Sequence, residues 1–327
     1  MTRWGLVTTL KAPLPRALEF AAWHLELGAA RLHLYLDDGD PEAARALSAH
    51  PRIRVTETGP DYWQSKGGRP ERHQNRQCRN ARHANNRAGD LDWLAHVDVD
   101  EFLLPGGPEG SVAETLAALP HSALCARMRP VEALAPTGAP GTTRLFKDFH
   151  LDQARRQAAA ERVFGPWARH LSGGFLSHVA GKLFFRAGTK GLQIRIHNVI
   201  LEGQQNPGEV PLPSLRLGHF HAASWAEFEA AYAFRRDAGS YRAELNPQAR
   251  GRDALNLHAL FARIEGEGGR PALRRFYEEV ATASPELTSR LAAEGLLLSR
   301  EMDLKALVAR HFSAICTSEA PLPLRSD

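Results

Sequence analysis

Hydrophobic and polar positions change places in regular blocks over the first hundred residues. Trp4–Leu10 is an unbroken apolar and threonine run of strand length. Pro13 and Pro15 interrupt it. Leu14, Leu18, Ala21, Ala22 and Leu25 then recur at helical spacing, and Gly28 stands where a helix C-terminal glycine belongs. Arg31–Leu36 predicts a second strand, stopped by the turn-forming Asp37-Asp38-Gly39-Asp40. Pro41–Ala49 predicts a helix with proline in its first turn, and Ile53–Thr56 a third short strand. Strands alternating with helices predict an α/β fold: a mostly parallel, Rossmann-type sheet flanked by helices on both faces.

The pattern continues less regularly. Gly59–Pro70 reads as a polar loop. Glu71–Ala88 predicts a helix too polar to be buried all round. Leu91–Val97 is a buried strand, Ser111–Leu119 a short helix and Ala123–Met128 another strand. Pro130–Gly174 shows no clear period beyond a Pro136–Gly141 loop. Lys182–Arg186 and Gln193–Ile196 read as paired strands about a Gly188–Gly191 turn, and Glu202–Pro213 as a loop. From Ser224 the pattern is mostly helical, with breaks near Gly239, Pro247, Gly268 and Pro285. The expected division is an α/β domain over 1–222 and a C-terminal helical appendage over 223–327.

Composition narrows the picture in three ways. With 327 residues and 43% hydrophobic content, the chain can bury a large core. Its net charge of +4 is mild and its arginines are scattered, so a nucleic-acid stripe is not expected, whereas an anionic small-molecule ligand is compatible. Cys78, Cys125 and Cys316 are odd in number and widely spaced, which excludes a disulfide framework and a Cys-x-x-Cys zinc site. No run has the length of a membrane span or the form of a signal peptide, so a cytoplasmic protein is expected, with peripheral membrane contact left open.

The chemistry concentrates at Asp98-Val99-Asp100-Glu101, between the apolar runs Trp93–Val97 and Phe102–Leu103. Carboxylates between two apolar runs are not casual surface charges. If the backbone stays extended, Asp98 and Asp100 share a face and Val99 turns into the core. Such a pair suits Mg²⁺ or Mn²⁺, hard cations that take carboxylate and phosphate oxygens. In open α/β sheets, ligands bind beyond the C-terminal ends of the strands, where this segment lies.

Asp-Val-Asp-Glu-Phe-Leu after an apolar strand resembles the family-2-like glycosyltransferases of the GT-A fold, in the branch related to family 92. Three further segments agree in order. Leu18-Glu19-Phe20-Ala21-Ala22-Trp23-His24 with Leu27-Gly28 resembles the family's first helix, Tyr35–Asp40 its second-strand turn, and His219-Phe220 with Ser224-x-x-Glu227-Phe228 its late histidine stretch. Two positions depart: Ala12-Pro13 follows Lys11 where the family has Asn-Glu, and Ala223 stands where it has lysine.

The resemblance implies transfer of a sugar from a nucleoside-diphosphate sugar to a glycan or other hydroxyl acceptor. It implies metal ligation by Asp98, Asp100 and His219, with His221 two residues on as a weaker candidate. Donor contacts are implied for Lys11, Asp38, Arg79, Asn80, Asp98, Lys182 and His197. Glu101 is placed to bind the metal through water, orient an aspartate or touch the sugar, and Asp148, with Glu132, lies where an acceptor base is expected. Ser224 and Glu227 read as a helix capping box. Two rival readings fit the same chain less well or no better. A nucleotidyltransferase wants a glycine-rich phosphate loop after the first strand, which Lys11-Ala12-Pro13-Leu14 does not supply. A nucleotide-sugar-binding protein without turnover needs only the same fold.

Overall fold

The structure, a computed structural model, describes residues 1–37, 39–106, 110–139, 141–237 and 255–313. The chain begins β1 (Trp4–Leu10), α1 (Leu14–Glu26), β2 (Arg31–Leu36), α2 (Pro41–Ser48), β3 (Ile53–Glu57), α3 (Pro60–Gln64) and α4 (His73–Asn85). It continues β4 (Trp93–His96), β5 (Glu101–Pro105), α5 (Val112–Ala117), β6 (Cys125–Ala133), β7 (Thr143–Lys147), α6 (Gln153–Phe164) and β8 (Lys182–Arg186). Then come β9 (Gln193–Ile194), β10 (Val199–Leu201), β11 (Gln204–Gln205), β12 (Glu209–His219), α7 (Trp225–Asp237), α8 (Leu257–Ala281), α9 (Pro285–Ala293), β13 (Leu297–Glu301) and α10 (Leu304–His311). Two compact units result. One holds 1–129, 181–217 and 303 onward; the other holds 130–180 and 218–302. They interleave along the sequence, whereas contiguous 1–222 and 223–327 regions were expected.

The first unit is a three-layer α/β structure. Its parallel strands lie in the order β3-β2-β1-β4, and β8 adds antiparallel to β4. Every residue of β1 is buried, as expected of a strand with parallel neighbours on both sides and helices on both faces. One core cluster packs Val7, Tyr35, Leu94 and Phe185 with Ala81, Ala84 and Ala88, where alanines let the polar helix α4 sit close. On the side of α1, Trp23 Nε1 donates to the Leu103 carbonyl (2.8 Å) and the Leu103 amide donates to His24 Nε2 (3.2 Å). Both backbone groups of one β5 residue are thus satisfied by a helix. At the same C-terminal end α1 meets α10, where His311 Nε2 and Glu26 Oε2 lie 2.9 Å apart.

The second unit has its own core, in which Phe228, Phe261, Phe276 and Tyr277 stack with Val163 and Leu287. Its strands are the end of β6, β7 and β13, paired antiparallel. α8 kinks at Gly269 (φ +62°), beside the expected break at Gly268.

Several expectations are corrected. The loop expected at Gly59–Pro70 contains α3. Gln193–Ile194 pairs with β10, not with Lys182–Arg186, which lies between β4 and β6. Part of the Glu202–Pro213 loop is the strand β12, prolines 211 and 213 included. The mostly helical C-terminal stretch contains β13, and α10 belongs to the first unit. The breaks expected at Gly239 and Pro247 lie outside the described residues.

Candidate functional site: an acidic turn with a buried lysine

The carboxylate segment is a turn, not an extended strand end. Glu101 N donates to the Asp98 carbonyl (3.0 Å), closing four residues on themselves. Asp98 N in turn donates to Glu101 Oε2 (2.8 Å), so the side chain clamps the same turn. The alternation expected to bury Val99 therefore fails: Val99 is half-buried, like Asp98 and Asp100, and the fully buried member is Glu101. Glu101 is a positioning group in this geometry, tying the turn to the first residue of β5.

Lys182 comes to the turn through sheet register. β8 runs antiparallel to β4 with Ala95 opposite Phe184, which brings the first residue of β8 to the C-terminal end of β4. Its ammonium is fully buried, 2.7 Å from Asp98 Oδ2 and 3.4 Å from Glu101 Oε2. Burial alone would push a lysine pKa down, but the fields of Asp98 and Glu101 outweigh it and the pKa is raised. The other carboxylate oxygen of Asp98, Oδ1, accepts from Gln77 Nε2 on α4. Both oxygens of Asp98 are therefore engaged within the protein.

Two histidines back this arrangement. Burial, with Lys182 next, depresses His96 to about 3, and the same two causes lower His197. His197 Nδ1–H donates to the Gly181 carbonyl (2.9 Å), fixing the residue before Lys182.

On the same C-terminal edge of the sheet, the ends of β1 and β2 frame a cavity of about 310 Å³. Its lining includes Leu10, Lys11, Pro13, Leu36, Gly39 and Asp40. Asp40 also caps α2, accepting from the amides of Glu42 and Ala43. Asp38, the expected nucleoside contact, lies outside the described residues. Its neighbour Asp37, which sequence reasoning passed over as a turn residue, is buried beneath two arginines and a histidine. Arg76 grips it in a fork at 2.7–3.0 Å, Arg69 is at 3.2 Å and His73 at 3.4 Å. Burial would raise this carboxyl, but Arg76 and Arg69 hold it below the ordinary range.

The Arg79-Asn80 pair is committed to the fold. Asn80 is fully buried, donating to Thr9 Oγ1 (3.0 Å) and accepting from the Tyr62 hydroxyl (2.7 Å). Arg79 is exposed and donates to the carbonyls of Lys66 and Gly68, fastening that glycine loop.

In the second unit, Glu132 accepts from Leu176 N, Ser177 N and Ser177 Oγ and pairs with Lys147 at 2.8 Å. Burial raises its pKa, but Lys147 and His221 more than reverse this, and it falls to about 2. A carboxylate so saturated is a poor proton acceptor, which argues against Glu132 as a base. Asp148 is half-buried, its Oδ1 accepting from Phe149 N (2.7 Å). His219 is buried, with the ring of His221 at 5.1 Å and that of His178 at 5.9 Å.

No protein-family model matches the chain. No curated protein matches it either. Among solved structures it is similar to the galactosyltransferase LgtC in complex with donor and acceptor sugar analogs, at 12% identity and a TM-score of 0.27 over 98% of each chain. It is also similar to the glycosyltransferase GlyE of Streptococcus pneumoniae TIGR4, at 11% identity and a TM-score of 0.30 over 96% of this chain and 64% of that one. A third is 4-diphosphocytidyl-2C-methyl-D-erythritol synthase, at 11% identity and a TM-score of 0.28 over 57% of this chain and 76% of that one. These are loose likenesses, so the functional reading is carried by the residues of the acidic turn. Among the described residues no helix is long and apolar enough to cross a membrane.

Proposed function

We propose that this chain is a divalent-metal-dependent glycosyltransferase of the GT-A type that takes a nucleoside-diphosphate sugar as donor and a hydroxyl group as acceptor. The observation that carries the reading is the acidic turn at the C-terminal end of β4, beside β1, with a cavity at the ends of β1 and β2. Beyond β1 lies β2 on one side and β4 on the other, so the strand order reverses there, the usual place for a nucleotide in an open sheet. The resemblance of four ordered sequence segments to family-2-like enzymes supports the same assignment.

In this reading the nucleoside enters the cavity, with Lys11 facing its phosphates. Asp100 would hold Mn²⁺ or Mg²⁺, since a carboxylate oxygen suits such a hard cation. When bound, the cation stabilises negative charge developing on the leaving diphosphate. Glu101 and Lys182 hold the turn in shape, and Asp148 receives the acceptor proton.

The test is a thermal-shift panel of nucleoside diphosphates with and without Mn²⁺. A ligand at a hundredfold over its dissociation constant stabilises by about 2.7 kcal/mol, a shift of several degrees. The expected result is a Mn²⁺-dependent shift with one nucleotide that Asp100→Ala abolishes. No shift with any nucleoside diphosphate refutes the reading. A shift without sugar release from the matching donor indicates binding without turnover.

A further inference from the structure

The charges at the turn do not treat its two aspartates alike. Asp98 has one oxygen against the buried Lys182 ammonium and the other against the Gln77 amide. Lys182 has no exposed surface and also reaches Glu101. A cation sharing Asp98 Oδ2 would sit next to a fixed ammonium in a poorly solvated site, where like charges repel strongly.

We propose that Lys182 is the resident counter-ion of the acidic turn, that Asp98 is a positioning residue paired with it, and that Asp100 alone of the two aspartates ligates the metal. This rests on the metal-dependent reading above and refines it. Lys182 does two things. It lets the turn fold before any metal arrives, because its buried ammonium already offsets one of the turn's carboxylate charges. It also lowers the attraction of the site for cations, keeping the metal exchangeable. Asp98 and Lys182 form a neutral unit, removable together without changing the charge that the metal meets.

The experiment measures Mn²⁺ binding to the full chain, without donor, from the electron paramagnetic resonance signal of free Mn²⁺. Circular dichroism checks the fold of each variant. Loss of one unit charge near the ion weakens binding by roughly tenfold, so Asp98→Asn alone weakens it and Lys182→Met alone tightens it. The double variant Asp98→Asn/Lys182→Met returns to within about threefold of wild type, whereas Asp100→Asn loses binding by far more than tenfold. A double variant as weak as Asp100→Asn makes Asp98 a ligand and overturns the proposal while leaving the metal site standing. If Asp100→Asn itself binds Mn²⁺ normally, it is the metal-dependent reading that fails. Thermal unfolding gives an independent readout. Metal-free Lys182→Met melts lower than wild type and regains the difference in Mn²⁺; a metal-free Lys182→Met as heat-stable as wild type overturns the counter-ion role.

Discussion

His24 offers the sharpest test of the packing argument, because it is fully buried and holds α1 to β5 in one protonation state. Nε2 accepts from Leu103 N, so the proton sits on Nδ1 and is donated to the Phe20 carbonyl (2.8 Å). Burial drives its pKa from 6.5 to about 3, against a smaller opposing effect of the Phe20 hydrogen bond. The folded value lies below the unfolded one, so the unfolded chain binds the extra proton first. The contribution of His24 is fully present above pH 6.5 and is lost as pH falls from there towards 3. The loss is about 1.4 kcal/mol at pH 5.5 and about 2.7 kcal/mol at pH 4.5. His24→Gln keeps a donor and an acceptor but has no proton to gain. Urea unfolding followed by circular dichroism at pH 7.5, 5.5 and 4.5 compares the two proteins. The variant is expected to be somewhat less stable at pH 7.5 and to close the gap by those amounts on acidification. Parallel stability curves over that range would refute the assignment of His24 as a buried neutral histidine.

Other expectations follow from single sites. Gly174 has φ +88°, and a Cβ there would overlap the Phe164 ring, so Gly174→Ala should lower stability by about 2–3 kcal/mol in a denaturant melt. Lys147→Met leaves Glu132 buried without its partner and should cost about 3–5 kcal/mol, whereas the neutral pair Lys147→Met/Glu132→Gln should recover part of it. Asp148→Asn should reduce sugar transfer by about 10²-fold or more with little change in donor-induced thermal shift; unchanged transfer excludes it as the base. Arg76→Ala strips Asp37 of its main counter-charge and should destabilise by about 3 kcal/mol, measured by thermal unfolding.

The parallel half of the first unit was readable because its physics is local. Trp4–Leu10 and Arg31–Leu36 are apolar runs bounded by proline, glycine and aspartate, and the strands occupy those residues. α6 escaped notice because its buried face is mainly small, Ala159 and Ala160 with Val163 and Phe164, and shows little hydrophobic period. β12 was hidden by prolines that usually exclude a strand. At the site, the assumption of extended backbone misplaced Val99, which the turn leaves half-buried. The partnership of Asp98 with Lys182, 84 positions away, was not readable at all, since it depends on β8 running antiparallel to β4. Asp37 was missed for the same reason: Arg69 and Arg76 reach it from a later helix and loop.

The interleaving of the two units has a consequence for how the protein is made. α10, residues 304–311, packs on α1, residues 14–26, so α1 is covered on that side only after α10 has been made. A ribosome must release nearly three hundred further residues in between. During that interval the flank of α1 that α10 covers is exposed on the nascent chain. No single cut in the gene separates one unit cleanly from the other.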